Sequence, residues 1–291
     1  MEKRALKFRA PIVNALTIDV EDYFQVSAFV PYIAREEWDG RVCRVERNVD
    51  RILAMLDEHR TKATFFTLGW IAERHPRLVC RIVGGGHELA SHGYGHQRAS
   101  ELDEKTFFAD VDAAKKRLED ISGRRVKGYR APSFSIGERN PWAFDCLERA
   151  GYLYSSSVYP IRHDHYGMPD APRFAHRVRG GLLEIPPATS RFFSRNWPAG
   201  GGGYFRLMPY AVSRWLLKRV NRRDGQPAIF YFHPWEMDHE QPRIPGIDLK
   251  TRFRHYLNLR RTEERLRRLL GDFHWGRMED IFLPPPGGET G

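Results

Sequence analysis

One repeated local pattern narrows the folds open to this chain more than any other feature. A short run of apolar and β-branched residues stops abruptly at an ionisable side chain. Ala15-Leu16-Thr17-Ile18 runs into Asp19, His87-Glu88-Leu89-Ala90 into Ser91 and His92, Val126 to Tyr129 into Arg130, and Ala228 to Phe232 into His233. Runs this short fit buried strands. Between them apolar residues recur at helical spacing, as in Val45, Val49, Ile52, Leu53 and Leu56, and again in Phe107, Val111, Leu118 and Ile121. Strand and helix alternate, which predicts a parallel-stranded α/β domain, open or closed into a barrel. In both forms the active site lies at the carboxyl ends of the strands, where these ionisable residues fall.

The remaining elements follow the same logic. Ala63 to Leu68 reads as a second strand, and Ile71 to Val83 as helix interrupted at Pro76 and stopped by Gly84-Gly85-Gly86. Ser100-x-x-Asp103 resembles a capping box for the next helix. Pro141 to Ala150 reads as a helix, with short strands at Tyr152 to Tyr154 and Leu182 to Ile185. The Gly200–Gly203 run lacks a following Lys-Ser/Thr, so a flexible loop is expected there and not a phosphate loop. A helix from Pro209 carries Val212, Trp215, Leu216 and Val220 on one face, and a single Arg-rich helix is expected from Arg254 to Leu270. Its Glu263–Arg267 and Glu264–Arg268 pairs mark a solvated face.

Composition matters mainly for what it excludes. With 41% hydrophobic residues in 291, the chain can bury a core and is not a disordered polymer. A net charge of +10 favours anionic partners. The charge is spread along the chain without a basic–aromatic signature, so no nucleic-acid role is expected. Cys43, Cys80 and Cys146 are odd in number and far apart, as suits reduced thiols. Met1 to Lys7 is charged and lacks an apolar core, so no signal peptide is read, and no run reaches membrane-spanning length. The expected location is cytoplasmic, with peripheral association at the inner membrane face left open.

The chemistry gathers at Ser91-His92-Gly93-Tyr94-Gly95-His96. Two imidazoles four residues apart, in a loop or a ragged helical turn, can reach one metal ion from the same side. With one carboxylate they make the ligand set of a hydrolytic zinc site that keeps positions open for water. A second acid could serve as general base, and an isolated His as general acid.

These residues resemble the polysaccharide deacetylases, carbohydrate esterase family four. Thr17-Ile18-Asp19 looks like the family's first motif, His92 to His96 like its His-x-x-x-His metal motif, Arg130-Ala131-Pro132 like its Arg-x-Pro motif, and Phe232-His233 like its Leu-x-His motif. All four stand in the family's order. Asp-Val-Glu-Asp-Tyr-Phe at residues 19–24 and His-Pro-Trp-Glu at 233–236 resemble the subgroup encoded with exosortase-linked exopolysaccharide clusters. The resemblance implies a distorted (β/α) barrel in one catalytic domain over residues 1–283. Residues 202–282 would be a subgroup-specific C-terminal region carrying the last catalytic strand, and 284–291 a disordered tail. It implies a hydrolase that removes N-acetyl groups from amino sugars of a cell-surface polysaccharide or its precursor.

In that reading Asp19 is the base, Arg130 its ion-pair partner and His233 the acid. His92 and His96 bind the metal, most simply Zn2+, with Co2+, Mn2+ or Ni2+ as alternatives. The family's adjacent Asp-Asp is here Asp19-Val20-Glu21-Asp22. The metal carboxylate is therefore Glu21 if the strand continues and Asp22 if the chain has turned, with Glu21 slightly favoured. Tyr94, Pro132, Ser133, Phe134 and Trp235 are candidate substrate contacts, the last two and Tyr94 equally at home in a core. The Asp that supports the family's acid His has no counterpart, since Ser155-Ser156-Ser157 stands in its place. Glu236 is the nearest substitute, with Glu184 and Asp164 as more distant ones. The expected partner is an N-acetylated glycan, with polysaccharide assembly machinery as a further one. Two rival readings are an amidohydrolase acting on a small cyclic amide or ureide, and an inactive glycan-binding subunit.

Overall fold

The structure, a computed structural model, describes residues 11–163 and 167–284. The sequence readings at Met1 to Lys7, at Asp164 and at 285–291 lie outside those residues. Eleven strands are found among the described residues: β1 Val13–Val20, β2 Thr64–Thr67, β3 Glu88–Ser91, β4 Gly128–Tyr129, β5 Tyr154–Ser155, β6 His176–Arg177, β7 Leu183–Glu184, β8 Thr189–Phe192, β9 Arg195–Pro198, β10 Ile229–Phe232 and β11 His274–Gly276. The helices are α1 Val45–Glu58, α2 Gly69–Arg74, α3 Pro76–Gly84, α4 Glu104–Ser122, α5 Trp142–Arg149, α6 Gly202–Leu207, α7 Tyr210–Arg219, α8 Leu249–Tyr256, α9 Leu259–Asp272 and α10 Met278–Phe282.

Nine strands form one sheet in the order β10-β1-β2-β3-β4-β5-β7-β6, with β11 also on β1, while β8 and β9 make a separate hairpin. Every pairing in the large sheet is parallel except β6 with β7. The sheet curls into a distorted barrel. Its ends approach where the Ala188 N–H donates to the Ile229 carbonyl at 3.0 Å and the Tyr231 N–H to the Gly200 carbonyl at 2.6 Å. All residues of β1 after Val13 are buried, as a strand covered on both faces requires. No helix among the described residues is long and apolar enough to cross a membrane.

Four local expectations need correction. The helix after Ser100 is capped by Asp103, whose side chain accepts from the Thr106 N–H, while Ser100 sits in a preceding 3-10 turn. The C-terminal Arg-rich segment is two helices, α8 and α9, broken at Asn258, whose φ of 55° is left-handed. Pro76 begins α3 and separates it from α2, so that stretch is also two helices. The Gly200–Gly203 run is packed. A Cβ on Gly201, where φ is 113°, would meet the Tyr231 carbonyl oxygen at 2.0 Å, and Gly202 begins α6 against the Tyr231 ring.

Candidate metal and acid–base site

β1, β3, β4 and β10 each end at the same rim of the barrel. Asp19 lies near the end of β1, with Glu21 just beyond. His92 follows β3, Arg130 follows β4, and His233 follows β10.

Glu21, His92 and His96 bring one carboxylate oxygen and two imidazole nitrogens within 4.8 Å of one another, all on buried residues. His96 Nε2 is 2.6 Å from Glu21 Oε2. His92 Nδ1 is 2.8 Å from the Arg130 carbonyl. That contact fixes the ring with Nδ1 as the donor and leaves Nε2 with a free lone pair, the usual outer support of a metal-bound imidazole. Burial pushes the His92 imidazole down to about 4, with His96 adding to the effect against the upward pull of Asp19 and Glu21. It is therefore neutral, as a ligand must be. Burial also opposes ionisation of Glu21. The imidazoles of His96, His233 and His92 outweigh it and hold that carboxyl well below its usual range. Apart from the approach of His96 Nε2, Glu21 Oε2 has no hydrogen-bond partner, and His96 Nδ1 has none, although both atoms are buried. An anionic oxygen and two imidazoles converging, with buried polar atoms left unsatisfied, fit a divalent cation.

The loop carrying the two histidines is not helical. His96 has a left-handed φ of 55°, and Gly93 at 77° has room for no Cβ, because one would lie 2.8 Å from Asp110 Oδ2. Asp110 on α4 accepts from the Tyr94 N–H at 2.9 Å and so ties the loop to a helix. A strained non-glycine residue held by its surroundings is a marker of function.

Asp22 does not join the cluster. Its carboxylate accepts from the N–H groups of Tyr23 at 2.7 Å, Val45 at 2.8 Å and Arg44, which binds it to the start of α1. Both oxygens are used there, so Asp22 is corrected from metal carboxylate to helix anchor, leaving Glu21.

Arg130 is fully buried. It donates from Nη1 to Asp19 Oδ1 at 2.6 Å and Thr17 Oγ1 at 2.8 Å, and from Nη2 to Ser156 Oγ at 3.0 Å. Its guanidinium lies 4.1 Å over the Phe66 ring. The other Asp19 oxygen, Oδ2, is 3.9 Å from His233 Nε2. The serines at 155–157 serve as scaffold, with the Ala131 N–H donating to Ser157 Oγ at 2.9 Å. Glu184 accepts instead from the N–H groups of Ser157 and Val158.

His233 Nδ1 instead lies 3.1 Å from Glu236 Oε2, and the His233 N–H donates to the same oxygen at 3.0 Å. Arg206 on α6 donates from Nε to Glu236 Oε1 at 2.6 Å. Burial alone would lower the His233 imidazole, but Glu21, Glu236 and Asp19 more than reverse this and raise it to about 9. Burial raises Glu236, and Arg206 and His233 overcome it to hold the carboxyl at about 2. The imidazole is thus a protonated donor facing the carboxylates.

The expected substrate contacts divide. Trp235 is buried, donates from Nε1 to Glu21 Oε1 at 3.0 Å, and stacks between His233 and His255 with ring centroids 5.2 and 4.3 Å away. It orients the site's carboxylate and is not a free sugar platform. The Tyr94 hydroxyl donates to Glu73, and its ring lies against Gly69, so it packs on α2. Phe134 is core, edge-on to Tyr159 and Tyr231 at 5.2 and 4.9 Å. Pro132 is buried, while Ser133 is half-buried, and Ser133 and Phe134 have φ of 54° and 49°. Sequence reasoning missed Thr17, Asp110, Ser156, Arg206 and His255. Their roles come from long-range packing, and only Thr17, two residues before Asp19 on one strand face, carried a readable signal.

Residues 38–154 match the family described as polysaccharide deacetylase, and residues 156–283 match a domain of unknown function (DUF3473). A peptidoglycan-N-acetylglucosamine deacetylase of Bacillus cereus is 34% identical over 46% of this chain and 52% of its own length. A chitooligosaccharide deacetylase of Bradyrhizobium sp. is 33% identical over 51% of this chain and 65% of its own. The chain thus spans less than two thirds of these relatives. Among solved structures, a provisionally assigned polysaccharide deacetylase from Mycobacterium smegmatis superposes with a TM-score of 0.59 over 94% of this chain and 93% of that one, at 21% identity. The Puue allantoinase gives 0.58 over 92% and 88%, at 15% identity. Both share the distorted barrel.

Proposed function

Because residues 38–154 match the polysaccharide deacetylase family, we propose that the protein is a metal-dependent hydrolase acting on N-acetylated amino sugars of a cell-surface polysaccharide or its precursor. The carrying observation is that an ion-paired carboxylate and a carboxylate-supported imidazole, 3.9 Å apart, flank the Glu21–His92–His96 cluster. Binding alone would need no such acid–base pair. A divalent ion held by Glu21, His92 and His96 would supply Lewis acidity to the amide carbonyl and lower the pKa of water, to about 7 for zinc.

The protein's own groups supply the rest. Asp19 takes the proton of the attacking water through Oδ2, because Arg130 occupies Oδ1 and orients the carboxylate. A backbone N–H near Ser133 is the donor this reading assigns to the developing oxyanion. His233 Nε2 gives a proton to the departing amine, with Glu236 fixing Nδ1. The likeness to subgroup members tied to exopolysaccharide clusters supports a role in exopolysaccharide assembly.

Acetate release from N-acetylated oligosaccharides tests the reading. Activity should vanish on chelation and return with zinc or cobalt. His92→Ala/His96→Ala should lose bound metal, and Asp19→Asn should keep it while kcat falls on the order of a hundredfold or more. Stoichiometric metal in the double variant, or an unchanged rate in Asp19→Asn, would overturn the assignment of those residues.

A further inference from the structure

The β8–β9 hairpin, α6 and α7 enclose a groove of ≈ 1210 Å³ outside the acid–base site. Five of the eleven exposed large hydrophobic side chains of the described residues line it: Phe193, Trp197, Leu207, Val212 and Trp215. Phe193 is 98% exposed at the hairpin tip. Phe193 and Ser194 form that tip with φ of 45° and 62°, where glycine or asparagine is usual. A strained turn that presents a phenyl ring to solvent has no role in the core, and apolar surface gathered this way marks a recognition site.

The groove is also cationic. Four arginines and one aspartate line it. Arg191 and Arg195 flank the tip, and neither side chain forms an ion pair among the described residues. Its inner end backs onto an aromatic cluster beside the acid–base site. Ile161 and Tyr204 line the groove and pack on the cluster of Phe134, Tyr159 and Tyr231. Tyr231 in turn stands edge-on to His233 with centroids 5.8 Å apart.

We propose that this groove binds an acidic glycan, with aromatic faces taking the apolar faces of sugar rings and Arg191 and Arg195 taking sugar carboxylates. A concave trough rimmed by aromatic rings and arginines fits a sugar chain laid along it, whereas a lipid surface would call for a convex face. The inference rests on the deacetylase reading and names its substrate class: a polymer in which N-acetylated amino sugars alternate with uronic acids.

The test compares, on the full chain, calorimetric binding of a hexasaccharide of alternating N-acetylglucosamine and glucuronate with that of a neutral N-acetylglucosamine hexamer. The acidic hexamer should bind about tenfold tighter or better, and Arg191→Gln/Arg195→Gln and Trp197→Ala should each erase most of the difference. These side chains are exposed, so an unchanged melting temperature accompanies the loss. Equal affinity for the two hexamers, or variants that bind like the parent, overturns the proposal. So does preferential binding to phosphatidylglycerol vesicles, which would assign the groove to a lipid surface. Acidic-glycan binding without acetate release from any substrate would sink the deacetylase reading and leave the groove standing. Acetate release with no acidic preference would do the reverse.

Discussion

Each charge in the site is held by a neighbour, and His233 shows the chain of support most clearly. Glu236 touches both nitrogens that matter, the backbone N–H and Nδ1 of His233, and is itself clamped by Arg206. Against burial, which disfavours the imidazolium, Glu21, Glu236 and Asp19 keep His233 protonated to about pH 9. A reaction that needs the protonated ring is therefore supported below that value and fades as pH rises through it. Glu236→Gln removes one of the upward contributions, so the alkaline limb of the kcat profile should move down by roughly one pH unit or more. Metal content should not change. A superimposable profile would take Glu236 out of the proton chain. The same change leaves Arg206 buried without its counter-charge, for a stability loss of about 3 kcal/mol readable in urea. The sequence pointed to Glu236 because it lies three residues from His233 across a proline. It offered nothing for Arg206, which comes from a helix hidden behind a glycine run. The choice between Glu21 and Asp22 was half legible: alternation along β1 favours Glu21, but only the distant N–H groups of Arg44 and Val45 show where Asp22 goes.

At the scale of elements, the seam between Gly200–Gly202 and β10 is where packing leaves least freedom. Gly201 combines a φ of 113° with a Tyr231 carbonyl oxygen that a Cβ would meet at 2.0 Å. Gly201→Ala should cost at least about 2 kcal/mol in urea unfolding, through a forbidden backbone conformation and displacement of β10. It should also reduce turnover, since His233 directly follows that strand. Parent-like stability would mean the seam is loose. Glycines in sequence read as flexibility, and here they permit contact; which of the two holds depends on a strand made 25 or more residues later. β4 and β5, each only two residues long, were nonetheless expected, at Val126 to Tyr129 and Tyr152 to Tyr154. The long apolar strands β1 and β10 were readable from their residues alone.

For the whole molecule, the boundary between the two family matches falls inside one sheet. Residues 38–154 hold His92, His96 and Arg130, but Asp19 and Glu21 precede them, and His233 and Glu236 lie in 156–283. β1 pairs with both β2 and β10, so neither match contains a complete set of sheet neighbours. A fragment of residues 38–154 should therefore show no cooperative melt and little near-ultraviolet dichroism. A sharp transition would establish it as an independent unit. Alternation of strand and helix predicted a parallel α/β domain, open or closed, and the family resemblance implied the distorted barrel; ring closure through Ala188 and Gly200 was invisible because it depends on two hydrogen bonds between remote segments.

The pairing of Ala15 with Ile229 also sets a schedule during synthesis. One edge of the first strand gains its partner only after most of the chain has left the ribosome. At about 5–20 residues per second, that edge waits on the order of ten seconds or longer. For that interval a strand with five apolar residues in eight offers unpaired backbone groups to any neighbour, a template for wrong pairing. Nascent chains of this protein should depend on holding chaperones until the tenth strand emerges.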